Sequence, residues 1–196
     1  KRSMSSYGAR VTTKVVIPEG YTSQQIFALL EKKGVATVKE LEAAAAKVQL
    51  EDYWFLEGVD TTVPNCLEGY LFPDTYQFYL NHDPDGVIEK FLTNFDNRFN
   101  DTMKENLIKL NETLSEMMRR NGKSEEYIAQ HQMTVREVVI VASMIERETA
   151  NGTESYEIAS VIYNRLTNPK EYPYLNIDAT VIYGMGGSRV DENGKT

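Results

Sequence analysis

The sequence predicts an α+β protein: a small strand–helix–helix unit over residues 11–50, then a mainly helical part with short strands over residues 51–196. Three observations point there. Val11, Thr13, Val15 and Ile17 fall on one side of an alternating stretch, as in a half-buried strand. Later stretches repeat apolar residues at the spacing of a helix face. Three of these follow a Thr with Gln or Glu three residues on, the capping-box pattern that opens helices. A chain of 196 residues can bury a real core, as one ordinary domain or a domain with a small companion.

Pro18-Glu19-Gly20 ends the first strand as a turn. Thr22 and Gln25 open a helix with Ile26, Leu29 and Leu30 on its apolar side, and Gly34 closes it. Thr37 and Glu40 open the next, with Leu41, Ala44, Ala45 and Val48 inward. Residues 51–80 are aromatic-rich and broken by Pro64, Gly69 and Pro73; Tyr76, Phe78 and Leu80 alternate as a short strand. From about Pro84, Val87, Ile88, Phe91, Leu92 and Phe95 predict a helix. Residues 100–130 are charged and helical in composition, broken at Asn121-Gly122, and read as a solvated helical hairpin or insertion with no chemical signal. Thr134 and Glu137 open a helix that Asn151-Gly152 stops. The next helix turns Ile158, Val161, Ile162 and Leu166 inward and is ended by Pro169 and Pro173. The segment YLNIDATVIYG, residues 174–184, has the composition of a strand.

Composition excludes several classes. A net charge of −8 argues against a general nucleic-acid binder, which needs a basic surface. The single cysteine, Cys66, excludes an internal disulfide and any cysteine-cluster metal site. His82 and His131 show no ligand spacing, so no metal site is expected, and their scarcity weakens any Ser-His or Cys-His scheme. Gly184-Met185-Gly186-Gly187 lacks the helix and Lys of a phosphate-cradling loop. No run approaches the roughly 18 apolar residues of a membrane helix; the longest apolar stretch is residues 138–145. The start is polar and not Met, and the end is turn-rich, so both ends are expected to be cuts in a longer chain.

One carboxylate stands out. On a helix, Val138, Val139, Ala142, Ile145, Glu146 and Thr149 share a face, so Glu146 continues an apolar stripe. A carboxyl held against apolar surface is disfavoured as an anion, which makes it a proton donor of the kind a glycosidic oxygen needs. Glu148 lies roughly 200° around the helix and cannot share a cleft with Glu146. Taken alone, a Glu at the edge of an apolar face is more often a structural group near a helix end. A second constellation is EGYLFPDTY, with Glu68, Tyr70, Asp74 and Tyr76: aromatic faces stack on sugar rings and carboxylates accept hydroxyl hydrogen bonds. The plain reading is an aromatic loop that packs on the core. A third is Tyr163-Asn164-Arg165 with Asp178, Thr180 and Tyr183, where Arg165 is more often a structural ion-pair partner than a ligand.

Four segments in order, LEGYLFPDTY (67–76), ASMIERET (142–149), ASVIYNRL (159–166) and IDATVIYG (177–184), resemble the signature segments of the YceG-like family, the endolytic murein transglycosylases of MltG type. Residues 11–50 are similar to the LysM-like subdomain that precedes the catalytic part, and residues 51–196 to a catalytic part incomplete at its C-terminus. The resemblance implies an enzyme that cuts peptidoglycan strands internally at the bond between N-acetylmuramic acid and N-acetylglucosamine, leaving 1,6-anhydro ends. It places the family's catalytic glutamate on Glu146, acting as acid and then as base. Glu68, Tyr70, Asp74, Tyr76, Asn164 and Asp178 are the candidates to orient the glycan. It implies no metal or organic cofactor. Peptidoglycan is the expected partner, with peptidoglycan synthases as candidate protein partners. The family's usual N-terminal anchor, absent from this chain, would set the region on the outer face of a single-pass membrane protein. A second reading is a non-catalytic glycan-binding or scaffold module of a cell-wall synthesis complex. A third, a generic helical interaction protein, leaves the four segments unexplained.

Overall fold

A computed structural model describes residues 11–149 and 153–184. Strand β1 (Thr12–Val16) buries Val15, with Ile17 just beyond it, and leaves Val11 exposed. Helix α1 (Ser23–Lys32) opens on the expected capping box of Thr22 and Gln25 and buries Ile26, Phe27 and Leu30. Gly34 turns the chain at φ +72°, a left-handed conformation that suits a residue without a Cβ. Helix α2 (Val38–Ala45) repeats the box with Thr37 and Glu40 and buries Leu41, Ala44 and Ala45.

Strand β2 (Thr75–Tyr79) runs antiparallel to β1, with Val15 opposite Tyr76 and Lys14 opposite Gln77. It buries Tyr76 and Phe78; Leu80, expected to share that face, is exposed. The main-chain bonds Ile17 N–H to Asp74 O and Leu80 N–H to Val11 O, both 2.9 Å, extend the ladder at each end. Residues 11–50 therefore do not stand apart, because β1 finds its partner at residues 75–79. Helix α3 (Pro84–Arg98) buries all five expected residues, Val87, Ile88, Phe91, Leu92 and Phe95. Phe91 lies 4.4 Å from Tyr76 and 5.8 Å from Phe78 between ring centres, so α3 covers the inner face of the sheet. Lys90 Nζ donates to the main-chain oxygen of Gln77 at 2.7 Å. These elements form one compact unit, Lys1–Arg98.

The second unit is Phe99–Thr196. Helix α4 (Asp101–Arg120) is capped by Asn100, whose side chain accepts from Met103 N–H. Gly122, at φ +73°, turns the chain into α5 (Glu125–Gln130). The expected solvated hairpin over 100–130 is corrected in part: Leu114, Met118 and Ile128 form a buried cluster with Met133 and Tyr163, so this segment builds the unit's core. Its first half matches the expectation, with Met103 and Ile108 exposed. Helix α6 (Val135–Glu148) opens on the capping box of Thr134 and Glu137. The expected stop at Asn151-Gly152 lies outside the described residues. Helix α7 (Ser155–Thr167) buries Ile162, while Val161 and Leu166, expected inside, are exposed. Val141, Met144, Ile162 and Ile177 make the unit's other cluster.

The segment expected as a strand ends in a helix, α8 (Asp178–Gly184). Asp178 sits in its first turn, and the Thr180 hydroxyl donates to Ile177 O at 2.7 Å, turning the chain where a strand would extend it. Among the described residues the sheet has two strands, and no helix is long and apolar enough to cross a membrane.

Candidate functional site

The first-unit candidates are held by their own surroundings. Glu68 is half-buried and accepts from Ser23 at the start of α1, from the main-chain N–H at 3.1 and 3.2 Å and from the hydroxyl at 2.7 Å. A carboxylate there satisfies a helix donor and favours the helix dipole. Tyr70 is buried and packs on Phe95, with ring centres 5.1 Å apart, and on Phe55 at 6.0 Å. Asp74 is bridged to Arg98 at 2.6 Å and accepts from Thr75 N–H and from Asn94. The hydrogen bond from Arg98, then those from Thr75 and Asn94, hold its carboxyl below the ordinary carboxylate range. Tyr76 is buried; its hydroxyl donates to Phe72 O at 2.6 Å and accepts from Asn94 Nδ2 at 2.8 Å. Burial chiefly pushes its phenol up to about 12.

Asp74 and Tyr76 also line an open groove of about 590 Å³ between β2 and α3. Its other walls are Thr75 and Gln77 on the strand and Glu89, Lys90, Thr93, Asn94 and Asn97 on the helix. Sequence reasoning missed this helix side. The signal was available: Gly86, Glu89, Thr93 and Asn97 recur at helical spacing opposite the apolar stripe of α3.

Of the second-unit candidates, Glu146, Asn164 and Asp178 lie toward solvent. Glu146 is exposed on the last turns of α6, beside exposed Ala142. The apolar seat expected for it is not there, because the buried side of α6 is Val135, Val141 and Met144, turned away from the stripe read in the sequence. The run Val138-Val139-Ile140-Val141 is apolar on nearly every side of a helix, so spacing alone does not settle which side goes in. Among the described residues no hydrogen bond or ion pair holds the Glu146 carboxylate. Glu148 instead accepts from Ala179 N–H at 3.4 Å, which sets the first turn of α8, and with it exposed Asp178, beside the end of α6. Asn164 is exposed and donates to Ser160 Oγ at 3.4 Å within α7. Arg165 donates to Tyr174 O at 3.0 Å and lies over the Tyr172 ring, contacts with a main-chain oxygen and an aromatic face where an ion pair was expected. Burial raises the phenol of Tyr163, which packs against the α4–α5 cluster. Among the described residues no group of three or more His, Cys, Asp or Glu could hold a metal ion.

The chain is 28% identical over 186 residues to an endolytic murein transglycosylase of Bacillus subtilis, covering 88% of this chain and 44% of that protein. It is 27% identical over 190 residues to one of Streptococcus pneumoniae, covering 90% of this chain and 30% of that protein. The chain thus spans less than half the length of these relatives. A crystal structure of a yceG-like protein from Listeria monocytogenes shares its fold, with a TM-score of 0.65 and 24% identity over 93% of this chain and 54% of that one. The model of the YceG-like family matches residues 2–195, and the chain therefore belongs to that family.

Proposed function

We propose that this chain is part of an endolytic peptidoglycan lytic transglycosylase that cleaves the N-acetylmuramic acid–β-1,4–N-acetylglucosamine bond and leaves 1,6-anhydro ends. The observation that supports the reading is the alignment of about nine-tenths of the chain with two relatives named endolytic murein transglycosylase.

Glu146 is the acid. Ordinary glycosidases need two carboxylates, one as acid and one as base or nucleophile. Here the nucleophile is within the sugar, so one carboxylate serves. Its proton passes to the bridging oxygen as the bond to the muramyl C1 breaks. The resulting carboxylate takes the proton from the muramyl 6-hydroxyl, whose oxygen closes onto C1. No water is consumed, and the tethered nucleophile keeps the entropic cost of attack small. The exposed carboxylate on α6, with no partner among the described residues, is open to a glycan strand. Water displaced by the bound strand would leave the carboxyl drier, the condition that makes such an acid effective. Asn164 and Asp178, both exposed, can turn polar groups to the sugar. Glu68, Tyr70, Asp74 and Tyr76 act as supports of the first unit. Residues 11–50 keep the LysM-like reading as a glycan-binding element. The proposed setting is the outer face of the cell membrane, on a single-pass anchor, with peptidoglycan synthases as candidate partners.

In the full-length protein, Glu146→Gln is expected to lower release of anhydro-muropeptides by at least about a hundredfold, the lower range of an acid–base contribution, with folding unchanged. Mass spectrometry of digested sacculi reads the product. Near-normal product from the variant removes Glu146 from the reaction. The exposure of Glu146 favours a second reading, a non-catalytic glycan-binding or scaffold module. Retention of glycan strands by the full-length protein without any anhydro product would select it, and reducing ends in place of anhydro ends would select a plain hydrolase.

A further inference from the structure

The two edges of the sheet are not alike. The bonds Leu80 N–H to Val11 O and Ile17 N–H to Asp74 O mark residues 11 and 80, and 17 and 74, as hydrogen-bonded pairs of the ladder. Such pairs alternate along antiparallel strands, so Thr13 and Val15 also direct their main-chain groups to β2, at Phe78 and Tyr76. Thr12, Lys14 and Val16 therefore turn their N–H and C=O groups away from β2. Among the described residues no main-chain group bonds to them on that side. On β2, by contrast, the outward Thr75 N–H is engaged by the Asp74 carboxylate and Gln77 O by Lys90. The open edge of β1 ends at Pro18, which has no N–H to offer.

The side chains of the same three residues are exposed, Val16 at 58%, with Val11 at 66% just before them. Thr12 and Val16 are β-branched, the type that packs well beside another strand. A row of unpaired main-chain groups between such side chains is a template for one more strand. Lys14 selects which strand. It is the only charged residue of β1, Gln77 opposite it is neutral, and among the described residues no carboxylate pairs with its ammonium. A second copy of this chain is a poor occupant. The antiparallel register that uses all three outward residues places Lys14 against Lys14, and like charges directly opposite are destabilising. A carboxylate in that place is attracted instead, across the roughly 5.5 Å between the Cα atoms of a bonded pair.

We propose that the free edge of β1 is a docking site for an extended segment of a partner protein, added antiparallel as a third strand. The segment carries an Asp or Glu facing Lys14 and β-branched residues facing Thr12 and Val16. Main-chain bonds hold it, and the ammonium of Lys14 sets its register and its charge. The site owes nothing to Glu146 or to the glycan reading.

The test is a nuclear magnetic resonance titration of this chain with the capped peptide Thr-Val-Thr-Glu-Thr-Val-Thr. The amide signals of Thr12, Lys14 and Val16 are expected to shift, and their hydrogens to exchange more slowly with deuterium once the peptide is present. The same peptide methylated on the Glu nitrogen should lose binding, since that N–H faces β1. A peptide with Lys in place of Glu should bind at least about threefold more weakly, from the lost attraction and the added repulsion. Lys14→Glu, an exposed position, should reverse that preference with the circular dichroism spectrum unchanged. If the variant does not fold, the two peptides on the wild type decide alone. No protection at these three amides, equal binding of the Glu and Lys peptides, or undiminished binding of the methylated one overturns the proposal. Protection of the same amides that grows with protein concentration in the absence of peptide overturns it in favour of a second copy.

Discussion

The hydroxyl of Tyr76 is bonded on both sides inside the first unit, to Phe72 O and from Asn94. Tyr76→Phe leaves both partners short, so a loss of about 1–3 kcal/mol is expected in a denaturant melt. Tyr76 also carries a pH signature. Its phenol is pushed from 10.0 up to about 12, so folding favours the neutral form. The associated stability is complete below pH 10 and is lost as pH climbs through about 12; Tyr76→Phe should flatten that alkaline limb. Asp74 behaves oppositely. Its carboxyl is held below its ordinary value, so its contribution is present above that value and lost as pH falls through the lowered one. Asp74→Asn should flatten the acid limb of the same stability curve. At this scale the sequence was only half legible. Residue type marked Glu68, Tyr70, Asp74 and Tyr76 as able to meet a sugar, and type does not show that Ser23, Phe95, Arg98 and Phe72 engage them first. Nor could spacing tell which side of α6 would carry Glu146.

The elements with a clean amphipathic stripe or a cap were legible at nearly their true bounds: α1, α2, α3 and the start of α6. Phe91 shows why α3 is secure. Its side chain is fully buried against Tyr76 and Phe78, so Phe91→Ala is expected to cost about 3–5 kcal/mol in a chemical melt. The misreadings have local causes. In α8 the β-branched Thr180, Val181 and Ile182 suggest a strand, yet Asp178 in the first turn and the bond from Thr180 to Ile177 O favour a helix. In residues 100–130, Leu114, Met118 and Ile128 are sparse among charged neighbours, and their burial depends on Tyr163 of α7, far along the sequence.

At the scale of the whole molecule, charge is the readable property. Twenty-nine acidic against 21 basic residues give −8, and that excess repels itself in the folded state. Raising ionic strength from about 0.01 M to 0.15 M shortens the screening length from roughly 30 to 8 Å. The melting temperature should therefore rise with added salt in a thermal scan; no change or a fall would show that local ion pairs such as Arg98–Asp74 outweigh the net repulsion. The Lys90 ammonium on the Gln77 carbonyl bears on how many molecules share a solution. A two-stranded ribbon with a bare outer rim invites a neighbour's ribbon to stack alongside it, and a lysine planted there makes such stacking unwelcome. Without that lysine, concentrated samples would gain a route to sticking together that owes nothing to unfolding.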